Sequence, residues 1–422
     1  NFFLLLVSLF FYTWGEGVLV GLMLFTILVN YVSGLVISGG TFRSGPDIAS
    51  LDKGGIRTSK QKWALSLSLV SNLALLAFFK YFNFGLDSFS DLMDVLGWSG
   101  ARWIPTLEVT LPLGISFFTF QAMSYTIDVY RGNIAATRNI VNFGCYVSMF
   151  PQLIAGPIVR YGAIAEDLIH RAISVERFAI GVRFFVIGLS KKVLIANVVA
   201  VPTDAIFAIP SESLTPSLAW LGLMGYSLQI YFDFSGYSDM AIGLGHMLGF
   251  TFPRNFNYPY VSQSLTEFWR RWHISLSTWF RDYVYIPLGG NRGGDFRTYF
   301  NLWLVFVLCG LWHGAAWSFV AWGIFHGMFL VAERMFLSDV IARLWRPLRH
   351  AYAMLVVMMG WALFRGDSLG EGFGFIKALF GLAPGDGILY YPEYYLNSKV
   401  LFFGGLGIIA ATPVLPALMR KI

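Results

Sequence analysis

Six histidines occur in this chain, and two of them stand where an ionisable group is expensive. His313 lies in Cys309-Gly310-Leu311-Trp312-His313-Gly314-Ala315-Ala316-Trp317, between the apolar runs Trp303 to Leu308 and Phe319 to Phe325. Read as one continuous helix at about 1.5 Å per residue, the segment puts His313 roughly 18 Å from Asn301. A hydrocarbon core is about 30 Å thick, so this imidazole is expected well inside a bilayer. Ionisable groups at such depth usually face a bundle interior or a water-filled cavity. A buried neutral imidazole is a ready general base. The plainer alternative is a neutral histidine bonded to a neighbouring helix carbonyl. Gly310 and Gly314 form a Gly-x-x-x-Gly pair that lets another helix come close. Cys309 lies one turn before His313 on the same face, so a Cys–His nucleophile pair is geometrically possible. A buried thiol in apolar surroundings is usually inert, and Cys309 is expected to be dispensable.

The second candidate is His273. Ser264-Leu265-Thr266-Glu267 matches a capping box and predicts a helix from Leu265 to about Tyr285, ended by Pro287. On that helix Arg270, Ser277 and Arg281 share one face, while Phe268, Trp272, Trp279 and Tyr283 share the other. His273 falls between them, nearer the arginines. Such a helix could lie in the membrane interface with its arginines toward headgroups or an anion; an interfacial histidine without chemistry is the plainer reading. Gly289 to Gly294 lacks the lysine and strand of a phosphate loop and reads as a turn. Asp233 and Asp239 stand in an aromatic stretch and need partners, expected to be arginines.

The elements that must position these groups are helices in a membrane. Of 422 residues, 56% are hydrophobic and only 13% charged, against about 25% charged in soluble domains; mean hydropathy is +0.62. The chain reads as an all-α polytopic membrane protein, one domain over residues 1–422. Its net charge of +6 comes from basic loops between apolar spans, which speaks for the positive-inside rule and against nucleic-acid binding. Two cysteines, Cys145 and Cys309, allow no zinc spacing, and no metal is expected. No signal peptide is visible, and the chain opens apolar at Asn1. Spans are expected at Phe2 to Tyr12, Val18 to Ile37, Trp63 to Phe84, Leu111 to Tyr130, Phe178 to Val201, Leu218 to Phe234, the His313 helix, Phe325 to Met335, Tyr352 to Leu363 and Val400 to Leu418. Basic loops (Arg43 to Lys62, Arg254 to Arg297, Arg343 to Arg349, Arg420 and Lys421) fall on the cytoplasmic side. Acidic ones (Asp87 to Glu108, Pro202 to Pro216) fall outside. Phe150 to Pro157 holds two prolines and predicts a broken or re-entrant element, tolerated at depth only where protein or water satisfies it. Lys191 and Lys192 lie within a span, so they must snorkel or mark a helix break.

The stretches Phe268 to Trp279, Arg281 to Arg292 and Leu311 to Gly314, supported by Leu153 to Arg160 and Tyr231 to Gly245, resemble the membrane-bound O-acyltransferase (MBOAT) superfamily. The resemblance is nearest to its bacterial branch of alginate and peptidoglycan O-acetyltransferase membrane subunits, and it covers most of the chain. It implies a ring of about ten or more membrane helices with re-entrant segments around a central tunnel, in the bacterial cytoplasmic (inner) membrane. His313 falls on the family's embedded catalytic histidine. His273 falls on its second polar position, Asn in many eukaryotic members and His in this branch. His326 matches a further histidine; His246 has no counterpart and reads as structural. Relative to the family pattern the chain lacks an N-terminal hydrophobic segment, so it is expected to be truncated there.

Acyl transfer needs a base for the acceptor's proton and a donor group for the oxyanion. The base is assigned to His313, and His273 is expected to orient the acyl donor or polarise its carbonyl. Arg270, Arg281 and Trp312 are candidates for positioning donor or acceptor. The resemblance implies no bound cofactor, acetyl-CoA or another acyl thioester as donor substrate, and an extracytoplasmic O-acetyltransferase partner that passes acetyl to a polysaccharide. A transporter with a similar cavity, or a non-catalytic scaffold for a secreted partner, are the competing readings.

Overall fold

A computed structural model describes residues 1–40, 48–98, 109–383, 390–414 and 417. The expectations placed on Arg43, Glu108, Arg420 and Lys421 fall outside the described residues. Among those described, the chain is helical, with one isolated bridge between Ile48 and Ala136. Among the described residues, five segments are long and apolar enough to cross a membrane: Phe2–Ser38, Ser59–Val95, Val175–Phe207, Trp317–Arg343 and Arg346–Arg365. The chain forms two compact units, Asn1–Gly181 with Leu244–Phe252, and Val182–Gly243 with Pro253–Ile422.

The first unit holds α1 (Phe2–Glu16), α2 (Val20–Ser38), α3 (Ser59–Val95), α4 (Ile115–Arg131), α5 (Ile140–Ser148), α6 (Phe150–Leu153) and α7 (Tyr161–Ile169). Thr58 and Gln61 close a reciprocal capping box that starts α3. At about 1.5 Å per residue its 37 residues reach well beyond a 30 Å core. Apolar faces alone give no register between helices in lipid, and here polar atoms supply it. Asn30 of α2 donates to the Thr26 carbonyl (2.8 Å) and to Asn72 Oδ1 of α3 (3.2 Å). Its own Oδ1 accepts from Ser68 (2.7 Å) and from Thr126 of α4 (2.9 Å). The proline-bearing stretch is broken, as expected: α5 ends at Ser148, α6 makes one turn, and residues 154–160 leave the helix. Protein buries this break. The Tyr146 hydroxyl lies 3.0 Å from the Gln121 carbonyl and 3.1 Å from that of Val159. Gln152 returns a side-chain bond to the Tyr146 carbonyl at 3.1 Å.

Two helices, α8 (Val175–Ser190) and α10 (Pro216–Met247), begin or end in the first unit and continue in the second; α9 (Asn197–Phe207) lies wholly in the second. Between α8 and α9 the chain makes a π-helical turn, Lys191–Ala196. A Cβ on Gly188 would sit 2.7 Å from the Met240 nitrogen, and one on Gly236 2.8 Å from the Gly188 oxygen, so α8 and α10 cross closely at glycines. Just beyond, Lys191 pairs with Asp239 and Lys192 with Asp233, each at 2.6 Å. Of the two expectations for these lysines, snorkelling or a helix break, the chain shows a π-helical irregularity; the partners of the two acids are lysines rather than arginines.

The rest of the second unit comprises α11 (Leu265–Arg271), α12 (Ile274–Phe280), α13 (Asp295–His313), α14 (Trp317–Ala332), α15 (Ser338–Arg343), α16 (Arg346–Arg365), α17 (Leu369–Leu379) and α18 (Ser398–Ala410). Two sequence expectations are corrected here. The apolar run around His313 is not one helix: α13 stops at His313, Gly314 is extended (φ −163°, ψ 157°), and α14 returns from Trp317. The approach that Gly310 permits is made by this returning helix. A Cβ on Gly310 would strike the Phe319 carbonyl oxygen, one on Gly323 the Phe306 carbonyl oxygen, and one on Gly327 would lie 3.0 Å from Trp303. Nor is residues 265–285 one helix. It breaks at Trp272 and His273 and ends in a π turn, Arg281–Tyr285.

Candidate active site

The break at His273 is built, not frayed. Ser264 Oγ accepts from the Glu267 amide (3.0 Å), and Glu267 reaches back to the Gln263 amide (2.9 Å), so the box closes one residue early. The remaining donors at the start of α11 go to Glu333, 1% exposed. Its carboxylate accepts from the amides of Leu265 (2.6 Å) and Thr266 (2.9 Å) and from the Thr266 hydroxyl (2.6 Å). Seven residues on, Trp272 is extended and His273 takes the left-handed conformation, φ 42°, ψ 55°. For a residue with a Cβ this costs of order 1 kcal/mol or more and persists only where surroundings impose it. The non-helical segment 255–257 imposes it. The Asn257 amide donates to the Arg271 carbonyl, and the Ile274 amide to the Asn255 carbonyl, both at 2.9 Å. Trp272 meanwhile packs on Trp361 (4.8 Å between centroids) and Phe256 (5.1 Å).

This jog turns His273 into a cavity of about 100 Å³, lined by Trp269, Trp272, His273, Leu276, Ser277, Phe280, Val305, Phe306, Cys309 and His313. The two histidines singled out by the sequence therefore meet in one chamber. His273 is 2% exposed. Phe234 lies edge-on to its ring at 4.7 Å and Trp312 at 6.0 Å. His273 stands between two short helices, outside the spanning segments. Burial holds its imidazole well below the usual histidine range, and His313 pushes the same way. Its resting form is thus neutral. His313, half-buried at the tip of the α13–α14 hairpin, has ring contacts at 4.9 Å with Trp312, 5.2 Å with Trp322 and 5.2 Å with Phe364.

The other candidates divide. Trp312 touches both imidazoles. His326 lies outside the lining, one ring further on, with centroids 5.0 Å from both Trp269 and Trp322. Both its nitrogens are buried without a hydrogen-bond partner. Arg270 and Arg281 are exposed and do not line the cavity; Arg281 pairs with Asp282 at 2.7 Å. Their shared face existed only on the unbroken helix, and Ser277, grouped with them there, lines the cavity instead. Cys309 lines it too. Two residues that matter were not legible in the sequence: Asn255, 18 residues upstream, which faces His273 Nδ1, and Ser275, which donates to Asn255 Oδ1. No signal in Arg254-Asn255-Phe256-Asn257 points to that pairing. Among the described residues, no cluster of His, Cys, Asp or Glu could hold a metal.

Spanning helices define the class, an integral membrane protein, and two of its histidines line one cavity. More narrowly, the chain belongs to the membrane-bound O-acyltransferase (MBOAT) family and is an acyltransferase. Residues 133–368 match that family's model, and His273, His313 and His326 all fall within them. The chain is 46% identical over 381 residues to a probable alginate O-acetylase of Azotobacter vinelandii, covering 90% of this chain and 72% of the relative. It is 36% identical over 410 residues to a peptidoglycan O-acetyltransferase of Helicobacter pylori, covering 90% and 73%. A teichoic acid D-alanyltransferase of Bacillus subtilis is 29% identical over 262 residues, covering 58% and 65%.

Proposed function

We propose that this enzyme moves acetyl groups from a cytoplasmic thioester, acetyl-CoA or a similar donor, toward an extracytoplasmic polysaccharide of the alginate kind. It acts in the bacterial cytoplasmic membrane and hands acetyl to a partner O-acetyltransferase outside. The observation that carries the chemistry is the meeting of His273 and His313 in one cavity. An acceptor oxygen attacks the acyl carbon, the C–O bond forms as the C–S bond breaks, and the acceptor's proton passes through an imidazole to the departing thiolate. His313 is the base for that proton, being only half-buried and so open to an acceptor. Apolar walls keep water from the thioester. That acetyl rather than D-alanyl is transferred rests on the relatives at 46% and 36% identity, both named for O-acetylation. The arginine-rich stretch from Arg254 to Arg297 supports donor entry on the cytoplasmic side.

The test is reconstitution in sealed vesicles of known orientation, with labelled acetyl-CoA on the cytoplasmic face only. Label is expected on an acceptor protein or sugar on the far face. Label confined to acceptors on the donor's own side would overturn transfer across the bilayer while leaving the acyltransferase intact.

A further inference from the structure

Asn255 is 1% exposed, and both ends of its side chain make hydrogen bonds. Its Nδ2 donates to Ser238 Oγ at 3.1 Å. Its Oδ1 accepts from the Ser275 amide (3.2 Å) and the Ser275 hydroxyl (2.9 Å), and it faces His273 Nδ1 at 3.1 Å. The Ser275 amide can only donate, which settles which end of the Asn255 side chain is oxygen. An oxygen facing His273 Nδ1 requires that nitrogen to hold the proton. In a neutral imidazole the other nitrogen then has none. That other nitrogen, Nε2, is buried and has no hydrogen-bond partner, in a ring that lines the cavity.

We infer that Asn255 is a positioning residue: it locks His273 in the Nδ1–H tautomer, so that Nε2 presents a lone pair to the chamber and takes the hydrogen bond of the acceptor's hydroxyl. A lone pair cannot donate to a carbonyl oxygen, so this tautomer orients the acceptor rather than polarising the thioester. The hydroxyl has a single proton, so it moves along that hydrogen bond to His273 Nε2 as the C–O bond forms, and His313, in the same cavity, receives it from there on its way to the departing thiolate. The backbone of Asn255 serves the same end, since its carbonyl accepts from the Ile274 amide and holds the left-handed turn. The inference rests on the acetyl-transfer reading for its role in the reaction, but not for the tautomer itself.

The tautomer is read directly from the ring nitrogens of histidine-labelled protein by ¹⁵N NMR, with His273 assigned as the signal lost in His273→Gln. A pyrrole-type Nδ1 and a pyridine-type Nε2 are expected; the reverse would overturn the proposal whatever the enzyme's substrate. The role in transfer is read from Asn255→Asp, which keeps every acceptor position while the Ser238 hydroxyl turns to donate. A carboxylate beside Nδ1–H favours the imidazolium, so the acid limb of kcat/KM should move to higher pH: activity is present where Nε2 is free and lost as pH falls through the raised value. His313 is the titratable group that acts on His273; its other neighbours, Phe234, Phe256, Trp312 and Asn255, carry no charge. Asn255→Ala should lower kcat at least tenfold with the donor's KM within a few-fold. If the Asp variant's pH profile superposes on the parent's while its NMR signals keep the expected type, the tautomer stands and its part in the reaction does not.

Discussion

Two buried polar clusters of this protein invite comparison: the Asn30 cluster of the first unit and the histidine chamber of the second. Around Asn30 both amide hydrogens and the side-chain oxygen are used, across three helices. Around the chamber, His273 Nε2 and both nitrogens of His326 are buried and unmatched. An unmatched buried polar atom costs roughly 1–3 kcal/mol, so a fold has reason to remove it unless something uses it. The saturated side chain of Asn30 suits helix registration, although the Thr26 hydroxyl beside it is buried without a partner; the open Nε2 of His273 suits a ligand.

Replacing His313 should have the largest effect on activity. General-base catalysis typically contributes about 10²–10⁴-fold, so His313→Ala should lose acetyl transfer by that factor at unchanged membrane abundance. A residual rate within a few-fold of the parent would remove His313 from the chemistry and undo the contrast. Asn30→Ala should act the other way. It strands the Ser68 hydroxyl and Asn72 Oδ1, lowering thermal stability in detergent by about 1–3 kcal/mol, while activity per folded molecule stays level. A fall in specific activity matching that of His313→Ala would mean that the Asn30 cluster is functional as well. The smallest effect is expected at Cys309. Although it lines the chamber, Cys309→Ala should leave transfer unchanged; a stable acetyl-thioester on this sulfur would make it a nucleophile and redraw the mechanism.

The sequence made the identity of the two histidines and the membrane setting legible, because an ionisable group in an apolar run is conspicuous and loop charges are additive. The broken stretch at Phe150 to Pro157 was legible too, since proline cannot donate. What could not be read were breaks made by tertiary partners. Trp272 and His273 have ordinary helix propensities, and the chain leaves the helix there because Trp361, Phe256 and residues 255–257 hold it elsewhere. The stop at Gly314 is of the same kind. Its spacing from Gly310 read as a contact motif within a helix, whereas the contact comes from the helix that follows the stop. The arginine face failed with the helix it was drawn on.

The left-handed backbone at His273 has an evolutionary corollary. Few side chains tolerate φ 42°; apart from glycine, asparagine, aspartate and histidine are the types enriched there. The resemblance to the MBOAT pattern implies asparagine in many eukaryotic members and histidine in this branch at that position. Both alternatives come from the short menu that the turn allows. The peptide geometry therefore filters which residues can be sampled before chemistry selects among them, and a designer changing the reactivity of this site would have to choose from the same few letters.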